Sequence, residues 1–136
     1  MPVVDASIVV DWVAPGSDPD APAGRLLARL GDEPLLAPRL LLEETANAIA
    51  TGIRRRRWTG AQADTSFMLL RRLPLRIADL PGDLDRAWEL SRRFDEHPVY
   101  DMVYVAVAER LGTQLITADA ALRTRLVTMP YVVGPD

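Results

Sequence analysis

The sequence predicts an α/β fold in which a short, mostly parallel central sheet is flanked by helices. Short apolar runs alternate along the chain with stretches of helical period. The runs are apolar on both sides of the pleat, as strands covered on both faces are. The length, 136 residues, fits one domain and is short for two.

The elements follow in order. Val3-Val4 is an apolar β-branched run that ends at Asp5 and reads as a buried strand. Ser7 to Val13 reads as a short helix, stopped by Ala14-Pro15-Gly16-Ser17-Asp18-Pro19. Asp20 suits an N-cap, with Pro22 in the first turn and Leu26, Leu27 and Leu30 as the stripe of a second helix that Gly31 ends. Leu35-Leu36-Ala37 is the second strand. A helix from Arg39 to about Arg56 carries Ile49 and Ile53 at i, i+4 spacing. Thr59 and Gln62 form a T-x-x-Q capping box for the next helix, whose expected buried face is Ala63, Phe67 and Leu70.

Leu75-Arg76-Ile77 is strand-like. A helix from about Gly82 to Asp95 is expected to bury Leu84, Ala87, Trp88 and Ser91. Asp101 to Leu111 is apolar almost all round, the pattern of a buried helix, and Gly112 is its C-cap. Gln114 to Thr117 is a strand, Asp119 opens a short helix, and Val132-Val133 is a last strand. Residues 1–133 then make a single domain, with 134–136 as a frayed tail.

Composition removes several chemistries. The hydrophobic share is 49% and the charged share 26%, the balance of a globular protein. A domain of this size buries roughly two-thirds of its unfolded surface and folds without disulfide or structural metal. There is no cysteine, so thiolate metal sites and cysteine nucleophiles are absent, and the single histidine, His97, excludes multi-histidine metal sites. All sixteen basic residues are arginine. Without lysine there is no P-loop lysine and no Schiff-base anchor. The net charge of −3 is unlike the basic total common in nucleic-acid binders. The N-terminus lacks a basic leader region and no apolar run approaches the roughly 18 residues of a spanning helix. Cytoplasm is the expected compartment.

In parallel sheets the functional crevice lies at the carboxyl ends of the strands. Four acidic positions can face that edge. Asp5 ends the first strand, Asp119 lies just past the strand Gln114 to Thr117, and Asp101 starts the most buried helix. Glu43 and Glu44 sit on the helix after the second strand. They lie about 100° apart, so periodicity alone does not choose between them. Carboxylates gathered without Cys or His make a site for a hard cation, Mg²⁺ or Mn²⁺. Such a cation offsets their repulsion and can activate a water for attack on phosphorus. Asp is also a favoured N-cap, so Asp5, Asp101 and Asp119 each have a plainer reading as helix openers.

These residues resemble a known family. Val4-Asp5-Ala6-Ser7 is similar to the opening of PIN-domain ribonucleases, particularly toxins of the VapC type. Pro38 to Asn47 resembles that family's segment ending in E-x-x-N. Tyr100 to Glu109 resembles its Y-D-x-x-Y-x-A-x-A-E, and Leu115 to Leu122 its L-x-T-x-D-x-x-L. The four motifs occur in order along nearly the whole chain. The resemblance implies a three-layer α/β/α PIN-like domain. It implies that Asp5, Glu44, Asp101 and Asp119 are the catalytic, metal-holding quartet, the E-x-x-N register selecting Glu44 because Asn47 follows by three. Ser7, Asn47 and Thr117 would hydrogen-bond these carboxylates. The implied activity is Mg²⁺- or Mn²⁺-dependent cleavage of RNA. The implied partners are a second copy of the chain and a small cognate VapB-type antitoxin. Ala120-Ala121 departs from the polar residues common after the last acid, so a further ligand there is not implied.

Other features weigh less. Arg54-Arg55-Arg56-Arg57 reads as a phosphate-tracking patch for RNA, with Trp58 as a stacking surface and Arg71-Arg72 adding to it, or as a solvated helix end. His97 reads as a loop residue, since no nucleophile-elbow motif accompanies it. Trp12 and Trp88 read as core or dimer-surface residues. Among competing classes, receiver-type phosphoacceptor and haloacid-dehalogenase-like domains need a lysine that this chain lacks. A catalytically silent PIN-like binding module would lose one or more acids, and here all four are present.

Overall fold

Strand β1 (Val3–Val4) occupies the centre of the sheet, and both its residues are fully buried. A computed structural model describes all 136 residues. β2 (Leu35–Ala37) and β4 (Leu115–Ile116) pair with β1 on either side. β3 (Leu75–Ile77) adds beyond β2, and β5 (Val132–Val133) beyond β4. The order is β3-β2-β1-β4-β5 and every pair is parallel.

Parallel neighbours cannot be joined by a tight hairpin, so each connection crosses over through helices. These are α1 (Ala6–Val13), α2 (Pro22–Leu30), α3 (Leu40–Arg54), α4 (Gly60–Arg72), α5 (Gly82–Arg93), α6 (Val99–Leu111) and α7 (Ala120–Arg125). They flank the sheet to give the three-layer α/β/α architecture. None is long and apolar enough to cross a membrane. The chain leaves β1 toward β2 on one side, while β4 lies on the other. That reversal opens a crevice at the carboxyl ends of β1 and β4.

The core agrees with the apolar reading of α6, where Met102, Tyr104, Val105, Ala106, Val107 and Ala108 are all buried. Gly112 closes that helix in the left-handed region at φ 64°, a conformation that favours glycine. The Thr59–Gln62 capping box forms in both directions, at 3.1 and 2.9 Å.

Several helix faces differ from the sequence pattern. On α5 the buried residues are Asp83, Ala87, Leu90 and Ser91, whereas Leu84 and Trp88 are 60% and 56% exposed. Small residues let α5 approach α6 closely, and Arg110 of α6 draws Asp83 inward through bonds of 2.8 and 2.9 Å. On α4, Ser66 takes the buried place expected of Phe67. Asp20 does not cap α2; Ala21 holds that position, and the Asp20 carbonyl accepts from Arg25 instead. Trp12 is buried, its indole N–H donating to the Ala23 carbonyl at 2.6 Å. At the C-terminus, Arg29 donates to the Pro135 carbonyl at 2.6 Å and Arg25 pairs with Asp136 at 3.0 Å.

Trp58 locks the end of α3. Its indole N–H donates to the Ile49 carbonyl at 2.9 Å, and its ring lies directly against Gly52. A Cβ at position 52 would fall 2.0 Å from the ring. Gly52→Ala is therefore expected to destabilise the fold by about 1–3 kcal/mol despite alanine's better helix propensity. Urea denaturation checks this; an unchanged or higher midpoint would contradict the packing argument.

Candidate functional site

The site is built where β1 hands over to α1. Asp5 follows β1 and caps α1, accepting from the Ser7 and Ile8 amides at 3.1 and 3.4 Å and from the Ser7 hydroxyl at 2.5 Å. Capping and clustering are thus compatible, because the cap geometry aims this carboxylate into the crevice. Asp5 is only 7% exposed. Burial pushes its carboxyl above the ordinary aspartate range, the Ser7 and Thr117 hydroxyls and the Ile8 amide oppose this, and the nearby Asp101 charge adds to the rise.

Glu44 enters from α3. Its Oε1 accepts from the Tyr104 hydroxyl of α6 at 2.6 Å. Burial raises this carboxyl too, Tyr104 lowers it, and repulsion from Asp101 and Asp5 raises it further. Tyr104 is fully enclosed. Burial and the three surrounding acids hold its phenol protonated far above the usual tyrosine range, so it remains a donor. The Y-D-x-x-Y pattern places this tyrosine one turn after Asp101, on the same helix face, the one sequence signal for its role. Glu43 points away and pairs with Arg39 at 3.2 Å across exposed surface.

Asp101 lies in the first turn of α6 but does not cap it, since Pro98 holds the cap position. Its Oδ2 is 2.7 Å from His97 Nε2. Asp119 does act as a cap, accepting from the Leu122 amide of α7 at 3.1 Å. Its own amide donates to Thr117 Oγ1 at 3.0 Å. The Ala118 amide donates to Ser7 Oγ at 3.0 Å, and the Ser7 and Thr117 hydroxyls are 3.4 Å apart. Ser7 and Thr117 therefore tie the Asp5 corner to the Asp119 corner. Asn47 is exposed one turn beyond Glu44, and the bond to Glu44 comes from Tyr104.

The structure thus brings Asp5, Glu44 and Asp101 within mutual repulsion and links Asp119 to them through hydroxyls. The four do not form a ready-made coordination cage. Each carboxylate is turned toward its own donor: Ser7, Tyr104, His97 or the Leu122 amide. The donor set fits a hard divalent cation, being all oxygen, partly buried and short of compensating positive charge. Holding one requires Glu44 and Asp101 to share or leave their present partners.

The arginines lie apart from this corner. Arg54 ends α3 and bonds Thr51 at 3.2 Å, Arg56 turns the chain with φ 57°, and Arg57 lies over the Trp58 ring at 5.1 Å. All four arginines, and Arg71 and Arg72, are exposed. Trp58 is sandwiched between Gly52 and Arg57, so it is not the open stacking surface expected from sequence.

Residues 3–125 match the PIN domain family model. The chain is 35% identical over 120 residues to ribonuclease VapC3 of Mycobacterium tuberculosis, covering 88% of this chain and 83% of that protein. It is 32% identical to ribonuclease VapC9 of the same organism over 99% of both chains. Identity to ribonuclease VapC12 is 33%, over 90% of this chain and 89% of the relative.

The raised Asp5 carboxyl makes a stability prediction. A folded-state value above the unfolded one means the folded protein loses stability as pH rises from the ordinary aspartate value, 3.8, through the raised one. Asp5→Asn keeps a capping oxygen and removes the charge. In chelator at pH 7 this variant should melt higher than the wild type, and the gain should vanish as pH falls below the ordinary aspartate range. Thermal melts across pH check it; a lower or pH-independent difference would contradict the burial argument.

Proposed function

The chain belongs to the PIN-domain family, and on that premise we propose that it is a metal-dependent endoribonuclease that cleaves RNA phosphodiesters. The observation that carries the reading is the gathering of Asp5, Glu44 and Asp101 at the sheet's carboxyl edge, close enough that the Asp101 charge opposes ionisation of both Asp5 and Glu44. Burying like charges destabilises the metal-free fold, and a divalent cation is the partner that relieves it.

Asp5, Glu44, Asp101 and Asp119 are the proposed ligands of Mg²⁺ or Mn²⁺. When bound, such an ion supplies Lewis-acid stabilisation of a phosphoryl oxygen and lowers the pKa of its water. The protein's own part is positioning. Ser7 and the α1 amides orient Asp5, Tyr104 orients Glu44, and Thr117 fixes the turn into Asp119. Arg54 to Arg57 offer cationic contacts to phosphates along the strand. With those acids neutralised by metal, the remainder of the chain is near neutral, which removes the objection raised by the net charge.

The relatives that are ribonucleases of the VapC type support the finer reading. The protein is then the toxin of a type II toxin–antitoxin pair, acting in the cytoplasm as a homodimer and silenced by a small VapB-type antitoxin that covers the acidic crevice.

Purified protein with Mn²⁺ and RNA tests the activity. Asp101→Asn should lower cleavage by about 100-fold or more while circular dichroism shows an intact fold. Equal cleavage by the two proteins would sink the assignment. Replacing Arg54, Arg55, Arg56 and Arg57 with Gln should weaken RNA binding and flatten its salt dependence, by about 0.7 in log–log slope for each lost phosphate contact. An unchanged slope would return the patch to a solvated helix end.

A further inference from the structure

The loop between α5 and α6 carries strain with a visible consequence. Asp95 and Glu96 are consecutive non-glycine residues in the left-handed region, at φ 55° and 56°. Side chains disfavour that conformation, and the surrounding structure must hold it. Here the loop is tied at several points. Arg125 of α7 donates to the Phe94 carbonyl at 2.8 Å and lies 3.4 Å from the Asp95 carboxylate. The His97 amide donates to the Phe94 carbonyl at 3.1 Å, and the His97 carbonyl accepts from Ser91 Oγ at 2.6 Å.

The product of this path is one contact. The His97 side chain, 13% exposed, reaches the first turn of α6 with Nε2 at 2.7 Å from Asp101 Oδ2. An ionised carboxylate can only accept, so Nε2 carries the hydrogen. His97 touches neither a candidate ligand other than Asp101 nor the open crevice through any other bond.

We propose that His97 is a positioning residue for the metal centre: its Nε2–H holds one oxygen of Asp101 and leaves the other for the cation. The inference rests on the reading of Asp101 as a metal ligand. It assigns the chain's only histidine a role through Asp101, with no proton to move in the reaction. It also accounts for the strained turn, since relaxing Asp95 and Glu96 would carry the imidazole away from the carboxylate. Groups that orient a metal-binding side chain commonly set affinity as strongly as they set activity.

The test measures Mn²⁺ binding by the full chain without RNA, from the loss of the free-ion paramagnetic resonance signal. His97→Ala should weaken Mn²⁺ binding about 10–100-fold. His97→Gln places an amide N–H near the Nε2 position and should recover most of that loss. His97→Leu, which fills the same space without a donor, should behave like Ala and replaces it if the Ala variant does not fold. A purely structural role would lower the melting temperature of these variants while leaving ion affinity alone. Mn²⁺ affinity of the Leu variant within about two-fold of wild type, or a Gln variant as weak as Leu, overturns the positioning role alone. Failure of the wild type to bind Mn²⁺ at all overturns the metal-centre reading and this inference with it.

Discussion

Like charges held together out of water are the constraint around which this molecule is arranged. A partly buried carboxylate loses hydration, and a second one nearby makes ionisation costlier still. Asp5 and Glu44 carry both penalties, with Asp101 as the neighbouring charge. A fold that keeps them together must supply each with a hydrogen-bond donor, and must supply it from a rigid element. The donors are the first turn of α1 for Asp5, the enclosed Tyr104 for Glu44, and the pinned α5–α6 loop for Asp101.

The topology makes this possible. A parallel sheet with β1 at its centre directs several carboxyl ends toward one edge, and helices begin there with unpaired amides. α6 threads this edge with two of its side chains, Asp101 and Tyr104, one turn apart. The Asp83–Arg110 pair fixes that helix against α5 at its other end. α6 is thus anchored at the end away from Asp101, and the apolar core offsets the cost of the partly buried Asp5 and Glu44 carboxylates.

Much of this was legible in the chain. The strands Leu35–Ala37 and Leu75–Ile77 have the limits expected from the sequence, although only the first is an unbroken apolar run. The capping box at Thr59 and the glycine at 112 mark helix ends by local chemistry that tertiary contacts do not override. Asp5, Asp101, Asp119 and the Glu43-Glu44 pair stood out because each follows or adjoins apolar sequence, and the family resemblance selected Glu44 from the pair. Helix faces were less legible. Where Ala and Ser share a stripe with larger residues, packing favours whichever face allows close approach, and Leu84, Trp88 and Phe67 were left outside. Asp20 lost its cap because the turn before α2 is set by Asp18, which accepts from the Asp20 amide at 2.9 Å. Tyr104 and His97 carry no composition signal of their own. Their roles depend on contacts across 60 residues in one case and on a strained turn in the other.

The carboxyl edge of the sheet is proposed as a divalent-cation site whose ligands include Asp5, Glu44 and Asp101. The most direct measurement is anomalous diffraction from crystals of the protein grown with Mn²⁺. A peak bounded by those three carboxylates is expected, with oxygen ligands at about 2.0–2.2 Å. A well-occupied peak elsewhere, with these carboxylates still on their protein donors, would contradict it.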